Sequence, residues 1–294
     1  MRRGWVSIVA LSALSIVAVG GAEAKGKAKS TGEEFAYFQQ KNIGRNGLRG
    51  THTVALTFDD GPNENSRGVL RSLSAYGVKA TFFIVGNMAK KHPDVLKEVA
   101  EQGHLLANHS ATHARLGLRY EKSSRLLLDQ VREVNRFIAP LMKPGEPLFF
   151  RAPYGYWKAS HARVLNNDPV LKYYTGPIYW DVGGETKVDE QGYVRTSADW
   201  DCWERGWKAE TCAKGYLREI AAKDGGVVLM HAIHPKAAAL VRAVVPTLQR
   251  EGFKFVRLDQ MKEYDKYKTP RFFNPNIAEV DDAQGAQALA FDPR

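Results

Sequence analysis

HTVALTFDDGP, residues 52–62, is the stretch on which the fold turns. The run His52–Phe58 is rich in β-formers, and Gly61-Pro62 marks a turn. Asp59 and Asp60 therefore stand at the end of a strand. Two adjacent carboxylates repel. They persist where a cation binds one and a basic partner holds the other.

Working outward from this strand, strand-like and helix-like stretches alternate along the chain. A helical pattern over Arg67–Tyr76 stops at Gly77. A β-branched and aromatic run covers Lys79–Val85. Pro93–Gln102 is amphipathic and stops at Gly103, and His104–Asn108 is a short strand. Glu121–Ile138 is the longest helical pattern, with Leu126, Leu127, Val131, Val134 and Ile138 spaced for one face. Leu148–Arg151, Gly176–Trp180, Val227–Met230 and Phe253–Leu258 are further strand candidates. Tyr216–Lys223 and Ala237–Arg250 read as helices.

Repeated βα units call for an α/β fold with a parallel sheet or barrel. Asp59, Asp60, His109, Arg151 and His231 all follow strands. A (β/α) barrel collects such groups at one mouth, at the C-terminal ends of its strands. A doubly wound open sheet is the runner-up, and it would gather them less naturally.

His109-Ser110-Ala111-Thr112-His113 places two imidazoles four apart. That spacing is expected to set them on one side of a helical turn, where they can share a divalent metal. With Asp60 they make a two-histidine, one-carboxylate set. Such sets hold zinc, and they also hold non-haem iron in oxygenases. The remaining polar residues separate the two chemistries. Amide hydrolysis needs a base for water, a donor for the oxyanion and an acid for the leaving amine. Asp59 can be the base, Arg151 its charged orienter and His231 the acid. An oxygenase has no need of this second acid–base set.

The four segments Thr57–Pro62, His109–His113, Arg151-Ala152-Pro153-Tyr154-Gly155 and Leu229-Met230-His231 stand in the order and spacing of a known family. The chain resembles the NodB-homology polysaccharide deacetylases, carbohydrate esterase family four, from about His52 to Leu258. The resemblance implies a distorted (β/α) barrel. It implies Asp59 as catalytic base and Asp60, His109 and His113 as ligands of a divalent metal, with zinc favoured. It also implies that Arg151 orients Asp59, that the Tyr154 N–H helps hold the oxyanion, that Leu229 lines the acetyl-methyl pocket, and that His231 protonates the leaving amine. The activity implied is removal of N-acetyl groups from peptidoglycan, a chitin-like oligomer or an exopolysaccharide, with release of acetate. The alternatives are an amide hydrolase acting on a non-sugar substrate and, behind it, the iron oxygenase.

One further motif of the family, Asp-x-x-Asp-Trp, matches loosely. Trp180-Asp181-Val182-Gly183-Gly184 comes first, and Asp199-Trp200 follows only after an insertion. Asp199 is expected to tune His231 and Trp200 to wall the groove, with Asp181 as the competing candidate. His104 reads as structural, and Trp157, Trp203 and Trp207 are as suited to packing as to stacking on sugars.

The ends of the chain read differently from its middle. Met1-Arg2-Arg3, an apolar run over Val6–Val19 and Ala22-Glu23-Ala24 make a signal peptide of residues 1–24, which implies export to the periplasm, cell envelope or medium. The run is short for a membrane span. Residues 25–50 are expected to be a flexible leader, 51–265 the catalytic domain and 266–294 a tail. The net charge is +10, or +9 without residues 1–24, and it favours anionic surfaces or polymers. No zinc-finger, helix-turn-helix or RNA-binding pattern accompanies it, so nucleic acid is not implied. In an oxidising compartment, Cys202 and Cys212 are expected to pair and to pin a substrate-facing loop over Gly184–Gly215.

Overall fold

The computed structural model describes residues 38–43 and 45–267, so the expected signal peptide, most of the leader and nearly all of the tail lie outside the described residues. The strands are β1 (Phe38–Ile43), β2 (Thr53–Asp59), β3 (Thr81–Ile84), β4 (Leu105–Asn108), β5 (Leu148–Phe149), β6 (Tyr174–Ile178), β7 (Lys187–Val188), β8 (Val194–Thr196), β9 (Gly225–His231) and β10 (Lys254–Phe255). The helices are α1 (Glu64–Ala75), α2 (Gly86–Lys91), α3 (Pro93–Glu101), α4 (Leu118–Glu121), α5 (Ser124–Ile138), α6 (Ala159–Asn166), α7 (Asp199–Glu204), α8 (Ala209–Lys223) and α9 (Ala237–Arg250).

Local chemistry sets several of these bounds. Asn63 caps α1 by accepting from the N–H groups of Asn65 and Ser66, and Ser66 returns the bond to Asn63. Pro93 opens α3, where its missing N–H costs nothing. The Ser123 hydroxyl caps α5 at Leu126.

β2 is the hub. β9 pairs with it in parallel from Thr53↔Gly225 to Asp59↔His231, while β3 and β10 share its other edge. The parallel order continues from β3 to β4, and from β5 through β6 to β1. Isolated parallel bridges close two seams, Asn108↔Phe150 between β4 and β5, and Val182↔Val228 beside β9. The result is the irregular parallel α/β barrel expected from the sequence, with helices packed outside it.

Alternation along the strands separates an inner from an outer core. Val54, Leu56 and Phe58 of β2, with Val228 and Met230 of β9, face outward onto α1, α8 and α9. Ala55, Phe83, Leu105, Ala107, Phe149, Ile178 and Val227 fill the interior. The inward positions Thr57, Asp59 and His231 continue that interior stack to the C-terminal ends of the strands.

Two expectations change. Part of the stretch expected as a leader, residues 25–50, belongs to the fold, because β1 pairs with β6 and Leu48 is buried in the inner core. Gly184–Gly215 is not a loop. It holds the antiparallel hairpin β7–β8, helix α7 and the first part of α8. The Cys202–Cys212 disulfide is present with a Cα–Cα distance of 5.8 Å, but both cysteines are fully buried in the outer core. It therefore joins α7 to α8 inside the protein rather than pinning a mobile rim. No described helix is long and apolar enough to cross a membrane.

Candidate active site

At the end of β2 the chain must aim two adjacent carboxylates in different directions. Asp60 does this by taking a left-handed conformation, φ 72°, which aspartate tolerates better than most residues. Asp59 is left pointing inward, 3% exposed, and Asp60 turns toward the β4 side.

Asp59 meets Arg151, the largest fully buried side chain among the described residues. Arg151 Nη1 donates to Asp59 Oδ1 at 2.7 Å and to Thr57 Oγ1 at 2.8 Å. Its Nε donates to the Ile178 carbonyl at 3.2 Å and its Nη2 to that of Tyr179 at 3.3 Å. The guanidinium lies 4.0 Å from the Phe83 ring centroid. A buried cation without acceptors would be costly, and here each of its nitrogens has one. Asp59 is thus held by a cation that cannot rotate away.

His109 and His113 do not lie on a helical turn as the spacing suggested. They flank an irregular loop in which Ser110 and His113 have φ of 68° and 55°. The loop is pinned from several sides. Ser110 N donates to Asn108 Oδ1 at 3.0 Å, and His113 N donates to Ser110 Oγ at 3.2 Å. The N–H and hydroxyl of Thr112 both donate to Gln130 Oε1 of α5, at 3.1 and 3.0 Å. Gly86 and Asn87, opening α2, donate to the carbonyls of Ser110 and Ala111 at 3.1 and 2.8 Å.

This loop brings His113 Nε2 to 3.0 Å and His109 Nε2 to 3.4 Å from Asp60 Oδ1. The three ligand atoms lie within 4.8 Å of one another. Two features of the cluster fit a cation. His109 Nδ1 is 2.8 Å from the Arg151 carbonyl; a carbonyl only accepts, so Nδ1 carries the hydrogen and Nε2 is left to face Asp60. Asp60 Oδ1 is buried without a hydrogen-bond partner among the described residues. Burial alone would raise the Asp60 carboxyl. The imidazoles of His109 and His113 beside Oδ1, with His231 nearby, instead hold it well below the usual carboxylate range.

His231 ends β9 directly across from Asp59. Asp199, wholly buried at the start of α7, binds it twice: His231 Nδ1 is 2.7 Å from Oδ1, and His231 N donates to Oδ2 at 2.7 Å. Trp200 N donates to Oδ1 at 2.9 Å. Tyr216 supports the pair from α8, accepting from Asp199 N at 3.1 Å and donating to the Leu229 carbonyl at 3.0 Å. Burial alone would lower the His231 pKa, but the charge and hydrogen bond of Asp199, with help from Asp60 and Asp59, push it up to about 10. The ring is therefore an imidazolium at neutral pH, able to give a proton.

Asp181, the rival of Asp199, has a structural post. It accepts from Asn46 N and Arg49 Nε at 3.0 and 2.9 Å, and from Val227 N at 3.0 Å. Val227 lies four residues before His231, about 13 Å along the strand. Gly183 lets this segment pass close to β9: its φ is +92°, and a Cβ there would sit 2.3 Å from the Leu229 carbonyl oxygen.

The remaining expected residues divide. Tyr154, 68% exposed, takes φ 57° in a short 3-10 turn over Pro153–Gly155, and its ring packs edge-on against His113 at 4.8 Å. Trp200 is exposed beside Asp199, and Leu229 is buried on the inward face of β9. Trp203 is half-buried on the outer core and stacks on His234 at 5.0 Å, and Trp207 packs there too. Trp157 packs on Phe38, and its Nε1 donates to the Gln39 carbonyl at 3.0 Å. His104 is buried and accepts from Ala80 N at 3.1 Å; burial lowers its pKa to about 4.

The supporting residues Thr57, Asn108, Gln130 and Tyr216 were not anticipated. Gln130 left a trace, being a polar residue on the apolar face of α5. The others left none, since a strand threonine or a helix tyrosine reads as ordinary packing.

Comparison with known proteins follows this geometry. The family model described as "Polysaccharide deacetylase" matches residues 47–171. A peptidoglycan-N-acetylglucosamine deacetylase of Listeria monocytogenes is 30% identical over 71% of this chain, and the match spans 38% of that longer protein. A chitooligosaccharide deacetylase of a Bradyrhizobium strain is 30% identical over 73% of this chain and 92% of its own length. A solved deacetylase structure with bound substrate superposes with a TM-score of 0.56 at 28% identity, covering 74% of this chain and 94% of the other.

Proposed function

The chain belongs to the polysaccharide deacetylase family, and we propose that it removes N-acetyl groups from an N-acetylated, β-linked glycan by metal-dependent hydrolysis. The observation that carries this reading is the pairing of Asp59 with Arg151 and of His231 with Asp199, both reaching the Asp60–His109–His113 cluster: Asp59 Oδ2 lies 3.5 Å from His109 Nε2, and His231 Nε2 lies 4.0 Å from Asp60 Oδ2. A base and an acid beside a cation site are what amide hydrolysis requires, and iron-dependent oxygenation has no use for them.

Asp60, His109 and His113 would hold a divalent cation, which would supply positive charge to polarise the acetamide carbonyl and water. Two imidazoles and a carboxylate suit zinc. Asp59, kept ionised and aimed by Arg151, accepts a proton from the attacking water. The water oxygen bonds to the acetyl carbon, and the Tyr154 N–H donates to the oxyanion. The His231 imidazolium gives its proton to the sugar nitrogen as the carbon–nitrogen bond breaks. Acetate and a free amine leave. Leu229 floors the site for the acetyl methyl, and Tyr154 and Trp200 stand at the rim where a sugar ring would lie. Two relatives that act on peptidoglycan N-acetylglucosamine and on chitooligosaccharide put both glycans among the substrates to try. The basic, apolar start of the chain supports export to the compartment where such glycans lie.

The test is acetate release from a panel of peptidoglycan fragments, chitooligosaccharides and non-sugar acetamides. Release from a glycan that stops on chelation, returns with zinc and is absent in His113→Ala supports the reading. Release confined to non-sugar acetamides would move the protein to another substrate class.

A further inference from the structure

The chain carries a net charge of +10, and the acid–base site does not account for that surplus. Two cations at the mouth stand out because they are stacked but not paired. Arg45 follows the end of β1, which runs parallel to β6, so it lies at the same end of the barrel as Asp59. Its guanidinium carbon sits 4.9 Å from the Tyr179 ring centroid. Arg115, two residues beyond His113, places its guanidinium carbon 4.7 Å from the Tyr156 ring centroid.

Both stacks hang from the segment that carries Tyr154. Tyr156 belongs to it, and the Tyr179 hydroxyl donates to the Gly155 carbonyl. Gly155 permits this approach: its φ is +62°, and a Cβ there would lie 2.8 Å from the Tyr179 hydroxyl. Tyr154 in turn packs on His113. Neither Arg45 nor Arg115 has a carboxylate within 4.0 Å among the described residues, unlike Arg67, Arg132, Arg151 and Arg257. The carboxylate beside Tyr156, that of Glu121, is taken by the Tyr156 hydroxyl at 3.0 Å and by Lys158 at 2.9 Å. A guanidinium with one face on a ring keeps its in-plane N–H edge free, and that fork matches a carboxylate.

We propose that Arg45 and Arg115 receive a carboxylate borne by a sugar next to the N-acetyl sugar in the site, so that an acidic N-acetylated glycan is preferred over a neutral one. This rests on the reading that the mouth takes a glycan. A neutral chitin-like chain presents only hydroxyl and acetamide groups to these two forks and gains little from their charge.

The experiment compares two oligosaccharides of equal length, one of N-acetylglucosamine alone and one alternating with N-acetylmuramic acid bearing a free lactyl carboxylate. Both kcat/KM and Kd are measured on the zinc-loaded full chain and on the Arg45→Gln/Arg115→Gln double variant. The wild type should favour the acidic chain, and the preference should fade at high salt. In the double variant the ratio of acidic to neutral kcat/KM should fall roughly tenfold, as for the loss of two exposed charge pairs. Arg115→Lys should keep part of the preference, since charge remains without the planar fork. An unchanged ratio in the double variant, or no preference in the wild type, overturns the proposal. If the wild type deacetylates neither chain, the substrate reading fails, and the Kd values decide the proposal by the same comparison.

Discussion

Asp59 and Asp199 each hold a nitrogen of a basic side chain at 2.7 Å at the mouth. Their partners differ in kind. Arg151 remains a cation at any working pH, so the proton-accepting member of that pair is the carboxylate. The partner of Asp199 is an imidazole, which can lose its proton, so there the titrating member is the cation. In the proposed mechanism, two similar buried carboxylate–base contacts thus take opposite roles, a proton acceptor at Asp59 and a proton donor at His231. The surroundings reinforce the difference. Arg151 is locked by backbone carbonyls and the Phe83 ring, whereas His231 is steered by a carboxylate placed at the start of α7.

The largest way to break this comparison is at Asp59. Asp59→Asn keeps the shape and removes the base, so kcat/KM for acetate release should fall on the order of a thousandfold. Metal content, measured by elemental analysis, should stay near that of the wild type, because Asp60, His109 and His113 form the ligand cluster. A near-normal rate would remove Asp59 from the proton transfer.

Asp199→Asn strikes the other pair and should cost on the order of a hundredfold in kcat/KM. The variant loses the charge that holds His231 protonated while leaving the Asp59–Arg151 contact alone. Its activity should therefore suffer more at alkaline than at neutral pH. An equal loss at every pH would mean that Asp199 only positions the ring.

The smallest effect on turnover is expected at the disulfide. Cys202 lies on α7 with Asp199, and Cys212 on α8 with Tyr216, so the bridge braces the His231 side only. Cys202→Ala should lower unfolding stability by about 3 kcal/mol, read by denaturant titration. Its kcat/KM should change by less than about threefold, because Tyr216 and the backbone still hold Asp199. A large loss of turnover with unchanged stability would return the bridge to the substrate rim, where the sequence alone had put it.

The sequence showed the barrel and its mouth because runs of β-formers and Gly stops mark the βα units clearly. It also marked Asp59, Asp60, His109, His113, Arg151 and His231 as candidates, since each sits in a short motif next to a strand end, and the fold brings them together. It misread the two histidines as helical, because spacing of four suits both a helical turn and a loop. Only the left-handed backbone of Ser110 and His113 distinguishes them, held by the local Asn108 side chain and by Gln130 of α5, a bond across 18 residues that no local pattern encodes. The choice between Asp181 and Asp199 was likewise open in the sequence. It is decided by which carboxylate lies at the His231 end of β9, a matter of three-dimensional register. The stretch Gly184–Gly215 read as a loop because it splits the Asp-x-x-Asp-Trp motif, yet it holds a hairpin, α7 and the start of α8.

The most direct test of the paired-carboxylate account is the pH dependence of kcat/KM for glycan deacetylation, compared between the wild type and Asp199→Asn. A raised imidazole pKa means that the acid is present below its value and lost as pH rises through it. For His231 in this environment that value is about 10. A bound cation moves the alkaline limb down in both proteins and so cancels from the difference. The account predicts that the alkaline limb of Asp199→Asn lies more than about one pH unit below that of the wild type, with the acid limb unmoved. Coincident alkaline limbs would contradict it, because His231 would then not be the proton donor that Asp199 sustains.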